Sequence, residues 1–198
     1  MRRFSLMLTL IALCCLSTSL YGGVVLFENF DELTPQQSAT LVGAFSTING
    51  TNVDIVANGG IFGYLCQSSE SGTCIDMDGT GGNPQGQLQS NMLFPAGSYL
   101  LSFDLIGSQR GSTAATTVAF GNYNQTFTLT SYDDTSGIVT KQLVTLDSPG
   151  YLQFLSDTPG NIGNLLDNVV VETPTPEPSS LILLGSGVLL AARRFRRR

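Results

Sequence analysis

Gly97-Ser98-Tyr99-Leu100-Leu101-Ser102-Phe103-Asp104-Leu105 is the stretch on which the fold turns. Tyr99, Leu101, Phe103 and Leu105 fall on one side at period two, and Ser102 and Asp104 fall on the other. That alternation belongs to a strand with one face buried; a helix would scatter these positions around its axis. Residues 125–130 repeat the pattern, with Phe127 and Leu129 set between Thr126, Thr128 and Thr130. Shorter runs of strand character lie at 24–27, 53–56, 64–66, 117–120, 138–146, 151–155 and 166–171. Turn-forming groups separate them: Gly121-Asn122, Ser136-Gly137, Ser148-Pro149-Gly150 and Pro159-Gly160-Asn161. No stretch of 24–172 keeps a helical period. Many short strands with frequent turns predict an all-β protein, an antiparallel sandwich or jelly roll. Tyr99 and Tyr151 are expected in its core. Tyr64, Tyr123 and Tyr132 stand near turns and are expected as surface rings.

Composition narrows the chemistry. The chain has 198 residues, 12% of them charged, and contains neither His nor Trp. Without His there is no Ser-His-Asp triad, no Cys-His dyad and no His-ligated catalytic zinc. The charges are segregated. Between Val24 and Thr173 fourteen acids face only Arg110 and Lys141, a net charge of −12. So acidic a body repels a phosphate backbone, which argues against a nucleic-acid partner.

The two ends read as addresses. Arg2 and Arg3, the apolar run 4–16 and the small residues Ser17-Thr18-Ser19 and Gly22-Gly23 follow one another in the order of a secretory signal, assigned to 1–23. Leu13 precedes Cys14 where a lipoprotein signal needs a small residue, so Cys14 and Cys15 are expected to leave with the signal. Cys66 and Cys74 remain, and an exported chain makes them an expected disulfide. The body, 24–172, is followed by a Pro-rich linker, 173–180, and by 181–198, an apolar run that ends in arginines. As a helix the twelve residues 181–192 reach only about 18 Å, against a hydrocarbon core of about 30 Å. The basic end stays cytoplasmic by the positive-inside rule, which puts the body outside.

Pro176-Glu177-Pro178, a short apolar helix holding Gly185 and Gly187, and the cluster Arg193, Arg194, Arg196, Arg197 and Arg198 together resemble the PEP-CTERM sorting signal. The resemblance implies an exported protein of a Gram-negative bacterium. It implies transient anchoring by the C-terminal helix, cleavage by the membrane enzyme exosortase near Pro176, Glu177 and Pro178, and a surface or extracellular destination among extracellular polysaccharide and biofilm. A second resemblance lies in the body. Residues 97–105 with Gly107-Ser108-Gln109-Arg110-Gly111, and Gly163-Asn164-Leu165-Leu166-Asp167-Asn168-Val169-Val170-Val171, are similar to strands of galactose-binding-like jelly rolls, many of them carbohydrate-binding modules. That resemblance implies a structural calcium shared by the first and last strands, matched here by Glu28 and Asp167, whose hard oxygens suit the ion. Asp76-Met77-Asp78-Gly79-Thr80-Gly81 starts like a calcium loop, but Gln87 replaces the closing Glu, and a Gly-rich turn beside the disulfide is the expected reading.

The expected function is therefore a non-catalytic surface or matrix protein, associated with extracellular polysaccharide and able to bind it. Two other readings are carried. A secreted glycoside hydrolase needs only two carboxylates, and Asp54, Asp76, Asp78, Asp104, Asp133 and Asp134 are candidates. A purely structural coat protein needs no ligand at all.

Overall fold

The structure is a computed structural model that describes residues 22–57, 66, 72–81, 85–132 and 134–174. Outside the described residues lie nearly all of the signal segment, Tyr64, Asp133 and everything from 175 onward, including Pro176, Glu177, Pro178 and the apolar run. Thirteen strands occur among the described residues: β1 (Val24–Glu28), β2 (Gln36–Ala39), β3 (Leu41–Val42), β4 (Phe45–Thr47), β5 (Val53–Ala57), β6 (Thr73–Asp76), β7 (Gln87–Ser90), β8 (Gly97–Ile106), β9 (Ala114–Phe120), β10 (Tyr123–Leu129), β11 (Val139–Leu146), β12 (Gln153–Ser156) and β13 (Leu165–Glu172). They form two antiparallel sheets. One has the order β11-β8-β13-β6-β5-β2, with β1 also paired to β13; the other has the order β10-β9-β12-β7-β4-β3. The expected sandwich is what the chain forms.

Strand β8 has the alternation its sequence predicts. Tyr99, Leu101, Phe103 and Leu105 are buried, while Leu100, Ser102 and Asp104 are half-buried. Its polar alternates have a structural task. Both neighbours of β8 slip register at their level: β11 between Val139 and Gln142, and β13 between Asp167 and Val170. Each slip holds one residue in the left-handed region, Lys141 at φ 49° and Asn168 at φ 51°. Such backbone costs energy for any residue but glycine and is eased by local hydrogen bonding. Ser102 Oγ accepts the Lys141 N–H at 2.8 Å, and Asp104 Oδ2 accepts from Asn168 Nδ2 at 2.8 Å. Asn168 N–H also donates to Asp167 Oδ1 at 2.7 Å.

The sheets are joined by aromatic packing. Phe103 of β8 meets Phe127 and Phe154 of the opposite sheet edge-on, with ring centroids 5.8 and 5.4 Å apart. Phe94, Tyr99 and Phe120 form a second group, with centroids 4.9 to 5.6 Å apart. A smaller apolar cluster of Val56, Cys66, Cys74, Ile106 and Leu165 stands apart from this main core. Cys66 and Cys74 are disulfide-bonded within it, with Cα atoms 5.5 Å apart. Closing so short a loop stabilises by about 2–3 kcal/mol on the chain-entropy model.

Two sequence expectations need correction. Tyr151 is 40% exposed rather than core, because Leu152 and Phe154 take the inward positions and leave Tyr151 on the outward phase. Strands β2, β3, β4, β6 and β7 were not anticipated. Four of them are short and carry Gln, Ser, Thr or too few residues to show a period; β6 is buried on both faces and so shows no alternation.

Phe103 is fully buried and reaches two rings across the interface. Phe103→Ala is expected to lower the unfolding free energy by about 3–5 kcal/mol, read from urea denaturation of the body.

Candidate functional site

The two sheets differ in charge. Strands β3, β4, β7, β9, β10 and β12 contain no Asp, Glu, Lys or Arg. The other sheet carries Glu28, Asp54, Asp76, Asp104, Lys141, Asp167 and Glu172 on its strands. In the uncharged sheet Leu88, Val118, Phe127 and Phe154 turn inward and are buried. Their sequence neighbours therefore face out, and cross-strand partners share a face.

Following the ladders, Ser46 lies opposite Gln89, Gln89 opposite Gln153, Gln153 opposite Ala119, and Ala119 opposite Asn124. A second row runs Gln87, Leu155, Thr117 and Thr126. The outer face is thus an array of amides and hydroxyls with Ala119 and Leu155 among them, edged by the Asp157 carboxylate, which accepts from the Thr117 hydroxyl. Its side chains are tied to one another. Gln153 Nε2 donates to Gln89 Oε1 at 2.8 Å, and Asn49 Nδ2 donates to Gln87 Oε1 at 2.7 Å. The hydroxyls of Thr117 and Thr126 share a hydrogen bond at 2.6 Å. Each carboxamide so fixed retains donors and acceptors for a ligand. Such a surface can hydrogen-bond a neutral polyhydroxylated molecule and offers no cation to an anionic one. Sequence reasoning placed Thr126 on a polar strand face but missed the glutamines, whose available signal was the alternation of Gln87 and Gln89 with Leu88.

The tyrosines do not join this array. Tyr123 is on the inward phase of β10 with Phe127 and Leu129, packs against the core, and donates through Oη to Gln125 Oε1 at 3.0 Å. Tyr132 is 64% exposed in the connection from β10 to β11. Tyr99 is core, as expected, and donates through Oη to the Pro95 carbonyl.

The candidate hydrolase acids are placed as follows. Asp54 and Asp76 lie directly opposite each other on β5 and β6, but both are buried. Asp54 Oδ1 accepts the N–H groups of Ser38 and Thr80 at 2.8 Å, and Oδ2 accepts the Thr80 hydroxyl. Asp76 pairs with Arg110 and accepts the N–H groups of Gly163 at 2.8 Å and Asp78 at 3.1 Å. A Cβ on Gly163 would come within 2.9 Å of Asp76 Oδ1 and 2.5 Å of the Asp78 nitrogen, so this approach requires glycine. Asp104 is engaged by Asn168. Asp134 closes its own turn by accepting from Thr130 and Ser136, which holds its carboxyl down at about 2. Asp133 lies outside the described residues. No exposed carboxylate pair therefore arises from the described members of this set. In the stretch 76–81 Asp78 is bridged to Gln85, Thr80 donates its N–H and hydroxyl to Asp54, and Gln87 is a strand residue.

Glu28 ends β1 opposite Val169. Its oxygens accept the N–H groups of Phe30 at 3.0 Å and Ala44 at 2.7 Å. Gly43, at φ 58°, lets the loop pass over it, since a Cβ there would fall 1.9 Å from Glu28 Oε2. Asp167, two residues before Val169, is buried and accepts the Asn168 N–H. Glu28 thus already binds a loop to β1 through its oxygens. Among the described residues no three His, Cys, Asp or Glu side chains gather as a metal cluster.

Residues 174–198 match the PEP-CTERM protein-sorting motif. The chain therefore carries a signal for export to a cell-surface or extracellular destination, which implies processing by exosortase. Among the described residues no helix is long and apolar enough to cross a membrane. No curated protein matches the chain. Among solved structures it is similar to the K3 cleaved adhesin domain of Lys-gingipain from Porphyromonas gingivalis W83, at 18% identity and TM-score 0.49, over 78% of this chain and all of that one. The K1 cleaved adhesin domain of the same protein follows at 17% and 0.47, over 75% of this chain and 98% of that one. A mutant of CBM29-2, a family 29 carbohydrate-binding module, is similar at 17% and 0.33, over 79% and 99%.

Burial pushes the Asp76 carboxyl up to about 8, against the pull of Arg110, and pushes Asp78 up to about 6. The folded chain then holds protons that the unfolded chain releases near pH 4. This contribution to stability is complete below about pH 4 and is lost as pH rises through the two folded values. Between pH 5 and pH 8, in EDTA, the melting temperature of the body is expected to fall, as followed by circular dichroism.

Proposed function

We propose that this protein is an exosortase-processed surface or matrix protein whose non-catalytic body binds neutral extracellular polysaccharide through the outer face of its uncharged sheet. One observation carries the reading: a body with a net charge of −12 keeps six strands free of charge and lays Gln87, Gln89, Gln153, Asn124, Thr117 and Thr126 across their outer face. Sugar hydroxyls are donors and acceptors at once, and ordered carboxamides meet both needs. Preorganisation by the Gln153–Gln89 and Asn49–Gln87 contacts lowers the entropy lost on binding. Polysaccharides rich in uronate or sulfate are poor ligands in this reading, because the face has no cation and the body repels anions. The calcium expected at Glu28 and Asp167 belongs to the same reading as a structural ion that ties the first strand to the last.

The body, residues 24–173, mixed with an insoluble neutral glycan is expected to sediment with it and to be released by soluble oligosaccharide. Gln89→Ala with Gln153→Ala should abolish retention without lowering the melting temperature. Equal retention of the double variant would move the site elsewhere, and no retention of the parent body would leave a structural coat protein.

Sorting is separable from binding. Replacing Pro176, Glu177 and Pro178 with Ala is expected to leave the unprocessed chain in the membrane fraction on immunoblots. Normal processing of that variant would refute cleavage directed by this motif.

A further inference from the structure

The outer face of the seven-stranded sheet carries an apolar strip across four of its strands. Leu26, Tyr99, Leu101, Val144, Val169 and Val171 turn into the core, so the residues that alternate with them face out. Read across β1, β13, β8 and β11, one outward row is Val24, Glu172, Leu100 and Leu143. The row beside it is Phe27, Val170 and Ser102, and it ends at Lys141, whose N–H donates to Ser102 Oγ. Val24, Phe27 and Leu143 are 59%, 60% and 57% exposed. Large apolar side chains gathered on one face, unlike singly scattered ones, mark an interaction surface.

Charge and pattern choose the partner. Lys141 Nζ lies 3.7 Å from Glu172 Oε2, so the one acid in the strip has a counter-ion beside it. Lys141 is one of two cations in a body of net charge −12, and the other, Arg110, is engaged by Asp76. Two such acidic bodies can meet at this strip without setting carboxylate against carboxylate. The pattern is also self-complementary, because the first row is apolar at both ends. A two-fold axis along the strands, between β13 and β8, reverses the row on a facing copy. Val24 then meets Leu143 of the second copy, and Leu100 meets the stem of its Glu172. In the second row Phe27 meets the Lys141 side chain of the second copy, a cation–π contact.

We propose that this strip is a docking surface for a second copy of the chain, with the two seven-stranded sheets stacked outer face to outer face about a two-fold axis. Stacked sheets lie about 10 Å apart, which leaves room for one interdigitated layer of side chains. The strip is narrow, so the dimer belongs to the weak and transient class. Its two uncharged sheets look away from each other. On the glycan reading each dimer therefore joins two polysaccharide strands, but dimerisation itself does not rest on that reading.

The thirteen strands, both apolar clusters and the disulfide lie in the compact unit Val24–Thr173, so residues 22–174 carry the test. In sedimentation equilibrium at about 0.15 M salt, which screens the two bodies, this parent is expected to dimerise with a dissociation constant between about 10 μM and 1 mM. Phe27→Asp and Leu143→Asp, both at exposed positions, should melt as the parent does and raise that constant about tenfold or more. Tyr132→Asp adds the same charge at an exposed position toward the opposite end of β8, and should leave the constant within about twofold of the parent's. Mixed and mildly oxidised, the single variants Val24→Cys and Leu143→Cys should form mainly the mixed disulfide dimer, read by mass spectrometry. Cys66 and Cys74 are bonded to each other and do not compete. A parent that stays monomeric at about 1 mM overturns the proposal and leaves the strip to another partner. So does equal weakening by Tyr132→Asp, an unchanged constant in both strip variants, or mixed and like disulfide dimers in the proportions of random collision.

Discussion

Strand β13 is hydrogen-bonded along both edges, and the rest of the sandwich depends on that. On one edge it pairs with β8 from Leu165 to Glu172. On the other it pairs first with β6 at Leu165 and Leu166, then with β1 from Val169 to Glu172. A single late strand thus joins the first strand of the body to its middle. Few contacts in the fold close a longer loop, and such closure must be offset by burial. Leu165, Leu166, Val169 and Val171 supply it, all of them buried. The register slip at Asp167 and Asn168 falls between the part of β13 paired with β6 and the part paired with β1, and Asp104 of β8 holds that slip in place.

Charge is distributed as strictly as apolar surface. The seven-stranded sheet carries every charged strand residue among those described, and most of its acids are spent on structure. Asp54 caps a turn, Asp76 binds Arg110, Asp104 holds a bulge and Glu28 ties a loop to β1. The six-stranded sheet presents amides and hydroxyls instead. A sandwich can divide its labour in this way because the two outer faces are sequence-independent of each other: each strand gives one side to the shared core and keeps the other free.

The buried end near Asp78 shows how much polar chemistry this core accommodates. Asp54, Asp76, Asp78, Thr116, Ser156 and Asn164 are all buried, within a domain otherwise packed with Phe, Leu and Val. Burying so many polar groups specifies the register of β5, β6, β9, β12 and the start of β13, since a slip would orphan several of them at once.

The sequence by itself determined the class of the fold and the address. Period-two alternation in 97–105 and 125–130 marked strands with one wet face, and β8 and β10 have that pattern. The terminal motif was legible because it is local: a Pro-Glu-Pro group, an apolar run and an arginine cluster act through their order along the chain. Strands β6 and β7 were not legible, because β6 is covered on both faces and β7 is four residues of Gln, Leu and Ser. Nor was the amide face. Gln89 and Gln153 are 64 positions apart, and only the pairing of β7 with β12 sets them side by side. Local spacing decides what a strand shows to each side; only tertiary pairing decides which strands share a face, and the candidate sites here are shared faces.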